Sequence, residues 1–274
     1  MTNLLKKYQD LLGNECLPIQ QQELDKVDRI LRETGFCIIA GYHGSGKSSL
    51  ARRYSHYRQP LRKVYCKNVV ITKEVLLELE KDPQLLFLDS VTNLLYDEIV
   101  FPAAKESSKK KPIVLGVHIE PQNINTLFSQ YQDNLVVVGS LNYHDAKVLA
   151  SCPFDQEAPN LEQLLEYSGM RRRDLINLCI EAYSIRGDFS TESVEEGTTN
   201  LADKSRRVYK HIFEEHFTGQ QRELIKRILA GEPISPGDIS AEILLRTGII
   251  KKEKGVFILN GKLLELIFRK VWSE

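Results

Sequence analysis

The sequence has few of the features that mark secreted, zinc-stabilised or membrane proteins. Its 274 residues include five cysteines, at positions 16, 37, 66, 152 and 179, without a Cys-x-x-Cys pair or a cluster of cysteine with histidine. This odd number and wide spacing argue against a disulfide framework or a structural zinc site. No apolar run approaches the roughly 20 residues that a membrane span needs, and the first residues lack the layout of a secretory signal. We therefore expect a cytoplasmic protein, or a nuclear one in a eukaryote, with no membrane partner.

The sequence also lacks net charge. Its 37 Lys and Arg residues are balanced by 37 Asp and Glu residues. Any nucleic-acid binding must therefore come from local basic patches. With 42% apolar and 27% charged residues, the composition is typical of a globular protein with a substantial core. At roughly 150 residues per domain, the length predicts about two domains.

Residues 36–140 alternate short apolar runs with segments of helical length. Continuous apolar runs suit strands that are buried on both faces of a parallel sheet. Their alternation with helices predicts an α/β fold with a doubly wound, five-stranded parallel sheet. The predicted strands are "FCIIAG" (36–41), "KVYC" (63–66), "LLFLD" (85–89), "PIVLGVH" (112–118) and "NLVVVGS" (134–140).

Beyond residue 141 the pattern changes to short helices and then to a mixed module. The stretch "GDFSTESVEEGTTNLAD" (187–203) has five acidic residues and no basic ones, which predicts a solvated linker. The last 70 residues read as two helices, a β-hairpin around a tight Lys-Gly turn and a final helix, which is the order of a winged helix. We therefore predict an α/β domain with a helical entry over 1–150, helices and an acidic linker over 151–205, and a winged helix over 206–274.

The segment "GYHGSGKS" (41–48) fits the pattern Gly-x4-Gly-Lys-[Ser/Thr] at every fixed position, between a predicted strand and a predicted helix. Glycines let successive N–H groups point at phosphate oxygens, and the helix adds its positive dipole end. Lys47 would reach the β- and γ-phosphates, and the Ser48 hydroxyl would bind Mg²⁺. The sequence thus predicts a nucleoside triphosphate site. Its predicted contact residues are Gly41, His43, Gly44, Ser45, Gly46, Lys47, Ser48 and Ser49, with His43 as a loop residue rather than a catalyst.

A second magnesium ligand is expected at the end of a neighbouring strand. The run "LLFLD" places Asp89 at such a position. The next residue is Ser90, where NTPases of the class with an inserted strand usually carry a glutamate that polarises water. Asp97, Glu98 and Glu120 are alternative bases, and the spacing selects none of them. We therefore expect hydrolysis to be slow or to depend on a partner.

Three stretches besides the Gly-Lys-Ser segment carry a family resemblance. The stretch "PIQQQELDKVDRIL" resembles the entry-helix pattern R-E-x-E-L-x-x-L, with glutamine in place of arginine. The stretch "LVVVGSLNYHDAKVLA" resembles a fifth strand that leads into a lid. The stretch "YSGMRRRDLINL" resembles the lid pattern G-G-x-P-R-x-L without its second glycine and its proline. The chain resembles AAA+-related P-loop ATPases, nearest the STAND and archaeal-ATPase branch that borders the origin-recognition initiators.

The resemblance implies further site residues. It implies ATP as the nucleotide and a P-loop core followed by a helical lid. The lid arginine that contacts the γ-phosphate would be Arg172, with Arg171 or Arg173 as alternatives. His118, at the end of the predicted fourth strand, would sense the same phosphate, or it would be an ordinary hydrogen-bonded histidine. Members of the family often self-assemble, so that a neighbouring protein completes the ATP site.

The C-terminal module has a local basic excess. Residues 206–274 contain 13 Lys and Arg against 9 Asp and Glu, a net charge of +4. Lys251, Lys252 and Lys254 of the predicted wing would contact a DNA backbone, which gives affinity without sequence readout. A protein is the alternative partner. The predicted recognition helix offers only Glu242 and Arg246 to bases, so we expect nonspecific DNA contacts.

These patterns allow three functions. A nucleotide-dependent switch or ATPase, coupled to DNA or protein through the winged helix, accounts for most of them. A subunit that binds nucleotide without turnover is the second, and Ser90 supports it. A small-molecule kinase is the third, although the second predicted strand, "KVYC", is not followed by a catalytic carboxylate.

Overall fold

The computed structural model describes residues 3–13, 17–42, 44–65, 85–91, 101–154, 156–235 and 238–272. The chain divides into two compact units, one formed by Gln20–Val138 and the other by Met1–Ile19 together with Gly139–Glu274. The three domains predicted from sequence, with boundaries at 150 and 205, stay a prediction. Among the described helices, none has both the length and the apolarity to cross a membrane.

The helices and strands follow one another in chain order. They are α1 (Asn3–Gly13), α2 (Gln21–Thr34), β1 (Phe36–Gly41), α3 (Lys47–Tyr57), β2 (Leu61–Tyr65), β3 (Leu85–Val91), α4 (Phe101–Ser107), β4 (Ile113–His118), α5 (Ile124–Ser129), β5 (Leu135–Val137), α6 (Tyr143–Ser151), α7 (Leu161–Ser168), α8 (Arg172–Arg186), α9 (Thr191–His216), α10 (Gly219–Leu229), α11 (Ile239–Arg246), β6 (Ile250–Glu253), β7 (Val256–Leu259) and α12 (Lys262–Trp272).

The first unit is built on a parallel sheet, which confirms the predicted α/β class. Its strands lie in the order β2-β3-β4-β1-β5, and every neighbouring pair is parallel. All six residues of β1 are buried, as expected for a strand whose two faces both carry apolar side chains. Helices α2 and α3 pack against it through Leu24, Val27, Leu50 and Tyr54. The carboxyl ends of β1, β3 and β4 therefore lie along one edge of the sheet.

In the second unit, the predicted linker over 187–203 was wrong. Residues Thr191–His216 form a single helix, α9, whose start is capped by the Ser190 hydroxyl. Composition hid the helix because its acidic residues lie on the exposed side, while apolar and small residues recur at helical spacing on the other side. The buried residues in this half are Ser193, Val194, Gly197, Thr198, Leu201 and Ala202.

Helix α9 is fixed to the start of α8 by a buried polar contact. The Tyr209 hydroxyl donates to the Asp174 carboxylate, at 2.8 and 2.9 Å from its two oxygens. An Arg171 nitrogen lies 3.0 Å from the same carboxylate, and the Arg171 guanidinium carbon lies 5.5 Å from the Tyr209 ring centroid. Burial raises the pKa of Tyr209 above its usual range, so the hydroxyl keeps its proton and remains a donor. This contact joins the second half of α9 to the start of α8.

The remainder of the second unit contains the predicted hairpin. Strands β6 and β7 pair antiparallel from Ile250↔Leu259 to Glu253↔Val256. Both residues of the connecting turn have positive φ, 48° at Lys254 and 86° at Gly255, as two-residue hairpin turns require. Helix α12 packs on α9, where Trp272 stacks on Phe268 and meets the edge of Phe213.

The Tyr209–Asp174 contact gives a stability prediction. We expect Tyr209→Phe to lower the free energy of unfolding by about 1.5 to 3 kcal/mol, because it removes a buried hydrogen bond to a charged group. Urea denaturation measures this loss. The control is Tyr167→Phe, whose hydroxyl lies 3.5 Å from Glu195 at the surface. Equal, small losses for both variants would contradict the assigned role of Tyr209.

Candidate active site

The Gly-Lys-Ser segment lies where it was predicted, between a buried strand and a helix. Strand β1 ends at Gly41, and α3 begins at Lys47 with Gly46 as its N-cap residue. Gly44 and Gly46 have φ of 78° and 106°, values that residues with side chains rarely adopt. The first turn of α3 is closed by the hydrogen bond from the Leu50 N–H to the Gly46 carbonyl, at 2.9 Å. The loop therefore brings backbone amides and the positive end of α3 to one point, as an anion site requires.

Lys47 is buried and anchored to this loop. Only 5% of its surface is exposed. Its Nζ donates to the carbonyl oxygens of Gly41, at 2.9 Å, and Tyr42, at 3.1 Å. Backbone carbonyls thus fix the ammonium at the start of α3, so the positive charge stays next to the helix N-terminus.

His118 lies beside Lys47. The last residue of β1, Gly41, is paired with the last residue of β4, His118, in the parallel ladder. This register places the His118 Nδ1 atom 3.2 Å from Lys47 Nζ. An ammonium group has only donors, so a hydrogen bond across this distance requires Nδ1 to be the acceptor, with the proton of a neutral imidazole on Nε2. Two side chains that are 71 residues apart in sequence thus meet at one edge of the sheet.

Asn123 is a residue of this site that sequence reasoning missed. It is fully buried, its Nδ2 donates to the His118 carbonyl at 2.9 Å, and its Oδ1 accepts from the Glu120 N–H at 3.0 Å. In the sequence it is the first residue of "NINTLFSQY" (123–131), a segment with helical spacing, and asparagine is common where helices begin. Instead, its side chain turns back and fixes the loop after β4. That loop carries Glu120, whose Oε2 accepts from Gln122 Nε2 at 2.6 Å.

Asp89 lies in β3, opposite Tyr65 in the ladder with β2. The pairing of β3 with β4 shifts between Leu88 and Val91, so the strand carries an irregularity at Asp89 and Ser90. Such bulges are common next to active sites because they redirect a side chain. The structure describes the backbone of both residues. His43, Asp97 and Glu98 lie outside the described residues.

The helix after the loop carries the other predicted contacts and a buried arginine. Ser48 and Ser49 lie in the first turn of α3, and Ser49 is buried. Arg53, one turn further, is 1% exposed and donates to Gln20 Oε1. Gln20 immediately precedes α2, in the entry segment where the family resemblance expects an arginine. Here the guanidinium belongs to Arg53 of α3 and donates to the side chain of Gln20, so the entry segment is bonded to the helix that follows the loop.

The three arginines of the predicted lid differ in their surroundings. Arg171 pairs with Asp174 as described above. Arg172 is buried, and its Nη2 donates to the Leu11 carbonyl of α1 at 2.6 Å. Arg173 is exposed. The structure therefore gives Arg171 and Arg172 contacts within the second unit, and the γ-phosphate role predicted for Arg172 stays a prediction.

The lysines of the predicted wing lie on and beside the β6–β7 turn. Lys251 Nζ is 3.1 Å from Glu253 Oε2, and Lys252 Nζ is 5.7 Å from the Phe257 ring centroid. Lys254 is in the turn itself and is exposed. Within the described part of the chain, no group of three or more His, Cys, Asp and Glu side chains has the geometry of a metal site.

Comparisons with known proteins support the fold. No protein-family model and no curated protein matches the sequence. The RuvB Holliday junction branch migration motor of Thermotoga maritima is similar in structure, with 17% identity, coverage of 91% of this chain and 95% of that chain, and a TM-score of 0.52. The Walker-type ATPase of Pyrococcus abyssi is similar with 12% identity, coverage of 94% and 99%, and a TM-score of 0.55. At these identities the similarity shows the fold alone, which this chain shares with these two proteins.

The role of Asn123 gives a prediction. We expect Asn123→Ala to lower the free energy of unfolding of the first unit by about 1 to 3 kcal/mol, because it leaves buried backbone groups of His118 and Glu120 without their partner. Urea denaturation tests this. The matched control is Asn125→Ala, two residues on, where the side chain is exposed and alanine suits the helix. A neutral Asn123→Ala variant would show that the asparagine does not hold the loop.

Proposed function

We propose that this chain is an ATP-binding, AAA+/STAND-like ATPase that works as a nucleotide-dependent switch. The observation that carries the proposal is the position of Lys47, whose ammonium is held by the Gly41 and Tyr42 carbonyls at the N-terminus of α3. A strand, a glycine loop in left-handed conformation and a helix start converge on this charge, which suits the phosphates of a nucleoside triphosphate. ATP is favoured over GTP by the family resemblance, and the sequence lacks an Asn-Lys-x-Asp guanine reader.

The residues present fit a bound magnesium ion. Ser48, in the first turn of α3, would supply a hydroxyl, and Asp89, at the same edge of the sheet, would supply a carboxylate. These are hard oxygen ligands of the kind that Mg²⁺ prefers, with phosphate oxygens completing the set. When bound, the ion would neutralise charge on the β- and γ-phosphates. The backbone amides around Gly44 and Gly46 would orient the phosphates, and His118 would hold Lys47 in place through its Nδ1 atom.

Hydrolysis is proposed to be slow or stimulated by a partner. Ser90 has no carboxylate with which to activate water, although it follows Asp89, the proposed metal ligand. Among the described residues, Glu120 is the candidate base, since Asn123 fixes it two residues beyond His118. Arg172 is the proposed lid arginine, and Arg173 is its exposed alternative. A neighbouring subunit or another protein would supply any further residue of the site.

The C-terminal elements α10, α11, β6, β7 and α12 are proposed to form a winged helix with the β6–β7 turn as its wing. DNA is the proposed partner, through backbone contacts of Lys251, Lys252 and Lys254, and a protein is the alternative. The exposed residues of α11 are Ile239, Glu242, Leu245 and Arg246. With one acidic and one basic side chain, this face carries no net charge, which supports contact through the wing rather than base readout by the helix.

The proposed site gives a prediction for nucleotide binding. ATP with Mg²⁺ at about 100 times its dissociation constant should stabilise the protein by about 2.7 kcal/mol. We expect Lys47→Ala to lose most of this stabilisation, because the buried ammonium no longer faces the phosphates. Differential scanning calorimetry with and without nucleotide measures it. Lys109→Ala, which removes an exposed lysine paired with Glu106, is the control. A full nucleotide shift in Lys47→Ala would refute the assigned site.

A second prediction concerns the wing. Replacing Lys251, Lys252 and Lys254 by glutamate should weaken DNA binding and reduce its salt dependence by about one unit of log–log slope for each phosphate that the wing no longer neutralises. Fluorescence anisotropy across a salt series measures both quantities. Charge reversal at Arg206, Arg207 and Lys210 of α9 makes the same change in net charge elsewhere. If both triple variants behave alike, the wing is not the contact surface.

Phosphate release separates this proposal from its alternatives. Release stimulated by DNA supports the switch. Tight ATP binding without release supports a nucleotide-binding structural subunit, which Ser90 keeps as the second candidate. ADP formation that requires a small-molecule acceptor would instead identify a kinase.

A further inference from the structure

A buried asparagine joins three turns of the second unit. Asn260 follows β7 and is 6% exposed. Its Nδ2 lies 2.8 Å from Ser140 Oγ, 2.9 Å from the Gly169 carbonyl oxygen and 3.2 Å from the Gly248 carbonyl oxygen. An amide nitrogen carries two protons, so these three acceptors share them. We call the four residues Ser140, Gly169, Gly248 and Asn260 the Asn260 junction.

The backbones of the junction touch one another without side chains between them. A Cβ atom on Gly169 would lie 2.6 Å from the Asn260 carbonyl carbon, and one on Gly248 would lie 2.6 Å from the Ser140 nitrogen. Both glycines also have positive φ, 62° and 71°. Contacts this close leave little room for one turn to slide past another, because packed interiors resist deformation.

Each turn of the junction leads to a different functional part of the chain. Gly169 ends α7 and stands just before Arg171, Arg172 and Arg173. Gly248 precedes β6 and Asn260 follows β7, so the two ends of the β6–β7 hairpin are held together. Ser140 stands two residues after Val138, whose N–H donates to the Ala40 carbonyl, at 2.7 Å, in the strand that ends at the nucleotide loop. The chain thus runs directly from the strand neighbouring β1 into the junction.

We propose that Asn260 is a positioning residue that makes the lid turn before Arg171–Arg173 and the β6–β7 hairpin move as one body. ATP binding would then change the hairpin as well as the nucleotide loop. This inference rests on the proposed function, and it adds a route by which nucleotide binding would regulate the hairpin. The contact of Tyr209 with Asp174 ties the same end of α8 to α9 independently, so we expect the second unit to keep its fold when the Asn260 bonds are removed.

Hydrogen exchange on the full chain, with and without ATP and Mg²⁺, tests the proposal. In the native protein we expect ATP to slow exchange in the nucleotide loop (residues 41–50) and to alter it in the lid turn (165–172) and the hairpin (249–260). Coupling free energies between sites typically correspond to about 5-fold or larger effects, and exchange reports local opening segment by segment. We therefore expect a change of about fivefold or more in the hairpin.

Asn260→Asp is the test variant, since a carboxylate keeps the shape but cannot donate to the two carbonyls. Its loop and lid turn should still respond to ATP, while the hairpin response should fall at least fivefold. Ser140→Ala removes one acceptor only and should reduce the hairpin response by a smaller factor. Asn134→Asp is the matched control: Asn134 is also buried and donates to the Phe36 carbonyl, but it lies in the first unit. Its hairpin response should match that of the native protein.

The outcomes are distinguishable. A native-sized hairpin response in both Asn260→Asp and Ser140→Ala overturns the role of Asn260. The role of Asn260 is also overturned if ATP slows exchange in the loop of the native protein but leaves exchange in the hairpin unchanged. The proposed nucleotide site would still be supported by that result. If Asn134→Asp loses the hairpin response as well, the effect is general destabilisation and the proposal is wrong. If the loop of the native protein does not respond to ATP, the proposed function fails first and the inference fails with it.

Discussion

The position of one ammonium group is the constraint on which the remainder of the site depends. Lys47 Nζ is fixed by two carbonyls of its own loop and by the His118 imidazole from the neighbouring strand. This arrangement requires the parallel register of β1 with β4, the left-handed glycines before α3, and the anchored loop after β4. Each of these features is a local property of the backbone. Together they place donors and positive charge at one edge of the sheet, where an anionic ligand gains most from them.

The second unit is held together by contacts at several separate places. Helix α9 runs 26 residues and is tied to α8 at Tyr209 and Asp174 and to α12 through aromatic packing and the ion pair of Lys270 with Asp203. The Asn260 junction adds a second connection within this unit, where the backbones of its residues are in direct contact. The proposed coupling of the lid turn to the β6–β7 hairpin depends on the Asn260 junction.

Sequence reasoning predicted the parts whose signals are local. The apolar runs are continuous and the Gly-Lys-Ser spacing is fixed, so the parallel sheet and the loop between β1 and α3 followed directly. Helix α9 did not, since its composition is that of a linker and only the recurrence of Val194, Thr198 and Leu201 reveals a buried face. Asn123 and Asn260 were missed for another reason. Asn123 turns back onto β4, and Asn260 bonds residues 91 and 120 positions away, which no local pattern encodes.

Isothermal titration with ATP, ADP, AMP and adenosine, each with Mg²⁺ present, measures whether the loop at residues 41–48 holds phosphates. We expect affinity to fall steeply from ATP through ADP to AMP and to be lost for adenosine. Adenosine binding as tightly as ATP, or the lack of binding by any nucleoside triphosphate, would overturn the assigned site.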